Sequence, residues 1–157
     1  MAILNYTTSI NVAKTLSEIQ AMLARAGAKS IQIDYAVGTP ASIGFIIETQ
    51  YGERGFKLPA NTAAVYEVLK KHNVERRYRN IEQAHRVGWR IIKDWLAAQL
   101  ALIETEMVTL DEVMLPYMLI NPKQTLFELM TKNQLALPTG REHEWKEDNT
   151  WHSMRSR

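Results

Sequence analysis

Cysteine is absent, and no apolar run approaches the about 18 residues that a helix needs to cross a bilayer. Without cysteine the chain has neither disulfides nor thiolate zinc ligands, which fits a reducing compartment. The opening MAILNYTTSINVAK has no basic start leading into an apolar run, so no secretory leader and no membrane partner are expected, and a cytoplasmic location is. No glycine-rich loop ends in Lys-Ser/Thr to cradle a nucleotide phosphate, and no Ser or Thr occupies a nucleophile elbow. His72, His85, His143 and His152 lack the spacing of metal ligands. Glu104, Glu106, Asp111 and Glu112 could gather a cation, but two of them fall in the first turn of a capped helix, where negative charge is favoured anyway. Neither a metal nor a cofactor is expected.

Apolar material, by contrast, is ample: 46% of the 157 residues are hydrophobic, enough for a core without staples. One α+β domain is expected over residues 1–137. The polar, mixed-charge segment 138–157 has no periodicity and is expected to be a flexible tail.

The spacing of apolar residues supplies the architecture. Leu4 to Ile10 is rich in β-formers and reads as a short strand. Thr15 and Glu18 have capping-box spacing, Ile19, Met22, Leu23 and Ala26 form a helical stripe, and Gly27 sits where a left-handed C-terminal cap belongs. SIQIDY, SIGFIIET and GFKLP then alternate, with Ile31, Ile33, Tyr35, Ile43, Phe45, Ile47, Phe56 and Leu58 on the apolar side, and turns fall at VGTPA and YGERG. This is a small antiparallel β-meander of three to four strands, which the N-terminal helix should cover.

The second half reads as helical. Asn61 can cap a helix to about Lys71, HNVERRYRN breaks the pattern, and one long helix should run from about Asn80 to Glu106. Its predicted stripe is Ile81, Ala84, Gly88, Ile91, Trp95 and Leu102. Thr109 and Glu112 mark another capped start, Pro116 ends or kinks that helix, and Asn121-Pro122 signals a last short helix through Leu126, Phe127, Leu129 and Met130.

Charge is small in total, at +2, but uneven. Residues 66–93 carry +5 and residues 94–131 carry −5. Within the basic block, Arg86, Arg90 and Lys93 share a helix face with Trp89 nearby, and Arg76, Arg77 and Arg79 extend the positive track. Arginines hold phosphates in bidentate fashion and an exposed aromatic offers bases a stacking platform, so these seven residues form the candidate nucleic-acid-binding set. The alternative is a solvated face in which Glu82 pairs with Arg86 while Trp89 fills a core or subunit contact.

An enzyme reading rests on the order helix, strand, strand, strand, helix, which is similar to the core of the PD-(D/E)xK nuclease fold. The likeness implies Asp34, then Glu48-Thr49-Gln50, with Glu18 as an extra acid around a magnesium ion. Gln50 departs from the expected lysine, leaving Lys57 to substitute. The competing reading makes these the outward residues of amphipathic strands.

Finally, RGFKLPAN (Arg54 to Asn61) and GWRIIKDWLAAQLALIETEMVTLDEVMLPYML (Gly88 to Leu119) resemble a largely uncharacterised group of small proteins encoded by bacteriophages, prophages and integrative elements. The likeness covers most of residues 1–130. It implies accessory work on a mobile element in a bacterial cell and carries over no functional residue. The expected activity is non-enzymatic binding of nucleic acid or nucleoprotein. The alternative is a host-defence antagonist that binds a host protein or a small anionic signal. Four Trp and seven Met, types enriched at subunit contacts, add the expectation of a homo-oligomer.

Overall fold

The computed structural model describes residues 1–132, so the expected tail over 138–157 lies outside the described residues. The first helix, α1, spans Val12–Arg25. It is followed by β1 (Ala28–Ala36), β2 (Thr39–Thr49) and β3 (Gly52–Pro59), which form an antiparallel sheet in the order β1-β2-β3. Then come α2 (Thr62–Lys71), a 3-10 turn (Arg76–Tyr78) and the long helix α3 (Ile81–Glu104). A short α4 (Leu110–Met114), a 3-10 turn (Leu115–Tyr117), the hairpin β4 (Leu119–Asn121) and β5 (Gln124–Thr125), and α5 (Leu126–Lys132) complete the described chain. The fold is thus α+β, as the alternation and capping patterns require.

Ile31, Phe45 and Phe56 face one another across the three strands, as do Ile33, Ile43 and Leu58. This apolar sheet face shares one core cluster with Leu16, Ile19 and Leu23 of α1 and with Trp89 and Leu96 of α3. Phe45 and Phe56 stack with centroids 5.4 Å apart. A second, smaller cluster joins α2 to α3 through Leu69, Val74 and Ala84, with Ile3 and Tyr6 of the N-terminal segment packed on it. Gly88 permits that approach, since a Cβ there would stand 3.1 Å from Cγ2 of Thr62.

Four expectations are corrected. Leu4–Ile10 is no strand but a turned segment, with Asn5 at φ +63° and hydrogen bonds from Tyr6 N to Ile3 O and from Thr8 N to Asn5 O. Thr15 is not a cap: Asn11 caps α1 by accepting from Lys14 N, and Thr15 is buried one turn later with its hydroxyl bonded back to Asn11 O. Gly27 does take the left-handed position, at φ +97°. The α3 stripe is rotated, because Ile81 is 63% exposed whereas Trp89 is fully buried. Asn121-Pro122 turns the β4–β5 hairpin, and α5 begins only after it, at Leu126.

The β1–β2 connection has only two residues, Val37 and Gly38, both at positive φ (+49° and +76°), as a type I′ hairpin demands. A β-branched side chain is strained there, and Val37 is fully exposed, so it gains no packing in return. Val37→Asn should therefore stabilise the protein by about 1 kcal/mol, read as a higher urea midpoint with unchanged slope. A lower midpoint would mean that the valine makes compensating contacts.

Candidate nucleic-acid interface

The structure divides the basic block into two parts with different fates. On α3 each cation meets an acid. Arg86 pairs with Glu82 one turn earlier and also donates to Gln83 Oε1 at 3.2 Å. Arg90 crosses to α1, where its Nη1 lies 2.5 Å from Glu18 and 3.4 Å from Thr15 Oγ1; its side chain is 13% exposed. Lys93 pairs with Asp94 at 3.4 Å. Trp89 packs into the core with no exposed surface, so it offers no stacking platform, and its burial corrects that part of the expectation. The reason is helical phase: Trp89, Ile92, Leu96 and Leu100 recur at three- and four-residue steps and all pack in the main cluster.

The other part is the turn from the end of α2 to the start of α3. Lys70, Lys71, Arg76, Arg77 and Arg79 lie within ten residues there, against Glu67 and Glu75. Arg76 and Lys71 are exposed and make no ion pair with a described residue. Arg77 pairs with Glu75 at 2.9 Å, largely in solvent, and lies 4.7 Å over the Tyr78 ring. Arg79 donates to Asn73 Oδ1 at 3.0 Å, while its Nε is buried without a partner among the described residues. Lys70 meets Glu67, whose carboxylate raises the lysine above its ordinary range and keeps it charged. The turn opens onto the N-terminus of α3, whose dipole adds to the positive potential.

Of the seven candidate residues, Arg76, Arg77 and Arg79 are thus together on one turn, whereas Arg86, Trp89, Arg90 and Lys93 serve α3's own packing and pairing. Lys70 and Lys71 were missed as members of the basic cluster. Their adjacency in sequence to ERRYR was the available signal, obscured because they close one helix and the arginines open the next.

The nuclease-like acids do not converge. Asp34 faces Ser42 on β2, and Glu48 lies six residues further along that strand, about 20 Å away. Glu18 is on the helical side with Arg90. Glu48 instead shares Lys29 with Glu53, and Gln50 sits exposed in the β2–β3 turn. Among the described residues no group of three His, Cys, Asp or Glu side chains could hold a metal ion. His72 is exposed, His85 half-buried, and His143 and His152 lie outside the described residues. No described helix is long and apolar enough to cross a membrane.

Asp34 has a structural role. Lys57 at 2.8 Å, then Gln32 at 2.6 Å and Ser42 at 3.0 Å, hold its carboxyl down to about 2. Folding therefore favours the ionised form, and the stabilisation is complete above the unfolded value of about 4 and lost as pH falls towards about 2. Wild type should exceed Asp34→Asn in urea midpoint at neutral pH, and the gap should close across that window. A gap that stays constant to pH 2 would contradict the charge-based account.

No protein-family model matches the sequence, and no curated protein or solved structure matches it either.

Proposed function

We propose that the protein is a non-enzymatic accessory protein of a mobile element that binds nucleic acid through its phosphates, using the basic turn between α2 and α3. The observation that carries this reading is the cluster of Lys70, Lys71, Arg76, Arg77 and Arg79 on one turn at a helix N-terminus, of which Lys70 and Arg77 are in ion pairs with described residues and the other three are not. Guanidinium groups so placed take phosphate oxygens in bidentate fashion. Trp89 is buried and offers bases no stacking platform, so the contacts proposed are those of the turn's cations with the phosphate backbone. The mobile-element setting is part of the proposal and rests on the resemblance of residues 54–61 and 88–119 to phage-encoded proteins. A bacterial cytoplasmic location accompanies the proposal.

Contacts of this kind release counterions, so affinity for labelled duplex DNA, followed by anisotropy, should fall steeply with salt. Each neutralised phosphate contributes about one unit to the slope of log affinity against log salt, and Arg76→Ala should remove about one. Arg76→Glu with Arg77→Glu should abolish binding at moderate salt, while Lys123→Glu, on the β4–β5 turn, should leave it intact. Equal losses in both variants would mean general electrostatics with no defined surface. Absence of binding even at low salt would overturn the reading in favour of a host protein or a small anionic signal as the partner.

A further inference from the structure

The basic turn is short, exposed and crowded with like charge. Arg76, Arg77 and Arg79 repel one another across four residues, Asn73 sits at φ +48°, and the 3-10 turn has no side-chain cap. Two backbone bonds close it, from Tyr78 N to Glu75 O at 2.8 Å and from Arg79 N to Arg76 O at 3.2 Å, and side-chain bonds run from Asn80 Nδ2 to Arg77 O at 2.9 Å and from Arg79 to Asn73 Oδ1 at 3.0 Å. A short exposed segment held by local bonds alone opens at low free energy unless packing from outside it supplies the rest.

The N-terminal segment supplies it. Tyr6 packs edge-on against Tyr78 with centroids 5.6 Å apart and planes at 84°, and Arg77 covers the same Tyr78 ring. Tyr6 is itself fixed, because the buried Gln83 amide of α3 donates to Tyr6 O at 2.8 Å and to Thr8 O at 2.9 Å. Asn5, at φ +63°, donates to Asp94 Oδ2 at 2.7 Å, anchoring the segment about three turns further along α3. Ile3 enters the cluster of Leu69, Val74 and Ala84 beneath the turn.

We infer that residues 3–8 are a strap that holds the basic turn in its ligand-ready shape, with Tyr6 as the positioning residue and Gln83 as its anchor. The inference rests on the proposed phosphate-binding role of the turn. Its consequence is that the arginines meet a polyanion already ordered, so binding is spared the entropy of fixing them. Tyr6 touches no ligand; it acts through Tyr78.

The test is amide hydrogen exchange of the free protein alongside anisotropy with labelled duplex DNA. In Tyr6→Ala the amides of Tyr78 and Arg79 should exchange about tenfold faster, while Ile43 and Phe45 in the central strand keep wild-type rates. DNA affinity should fall about tenfold with the salt slope unchanged, since no charge is lost. Tyr6→Phe keeps the ring contact and should match wild type in every measurement. If Tyr6→Ala loosens the central strand as well, Gln83→Met, which keeps the bulk and removes both donors, must still speed Tyr78 and Arg79 selectively. Wild-type exchange at those two amides in the informative variant overturns the strap. Should wild-type protein bind no DNA, the functional reading fails, and the exchange pattern decides the strap independently.

Discussion

Burial of Trp89 sets the rotation of α3, and much of the molecule follows from that rotation. It is the largest of the fully buried side chains among the described residues, and it sits where α1, α3 and the sheet meet. Removing a buried Trp side chain costs about 3–5 kcal/mol, whereas a surface ion pair contributes about 0–1 kcal/mol. Packing therefore decides how the helix turns, and the charges adapt to it. With Trp89 inward, Arg90 is carried to Glu18 on α1, and Gly88 faces Thr62 and Val65 of α2.

That single phase also explains what the sequence could and could not reveal. The meander was legible because alternation has a period of two and each strand presents one apolar face, so Ile31, Phe45 and Phe56 align without ambiguity. Asn61, Gly27 and the Thr109–Glu112 capping box were legible because caps are local chemistry. The phase of α3 was not. Its apolar residues lie on two faces, Ala84 and Gly88 towards α2 and Trp89, Ile92 and Leu96 in the main cluster, and a single-stripe pattern selects only one. Leu4–Ile10 misled for a related reason. Its β-formers are held by side-chain anchors from Gln83 and Asp94, far away in sequence, and not by a neighbouring strand.

The candidate site was half legible. Clustered arginines are visible in any sequence, but which of them are engaged depends on partners brought by the fold, such as Glu18, 72 residues from Arg90. The same holds for Asp34 and Glu48, which share a polar sheet face in the sequence pattern yet are separated along β2 and committed to Lys57 and Lys29. Within the basic block, Lys71 and Arg76 are exposed and make no ion pair with a described residue, and both belong to the turn that leads into α3.

The basic block divides into cations engaged by the packing of α3 and cations exposed on the turn before it, and urea unfolding of Arg90→Ala beside Arg76→Ala separates the two. Arg90→Ala should lose about 1.5–3 kcal/mol, because Glu18 is left half-buried without its charged partner. Arg76→Ala should change stability by no more than about 0.5 kcal/mol, as expected for an exposed side chain that pairs with no described residue. Equal and small effects in the two variants would contradict the account, placing Arg90 among the free cations and restoring α3 itself as the binding face.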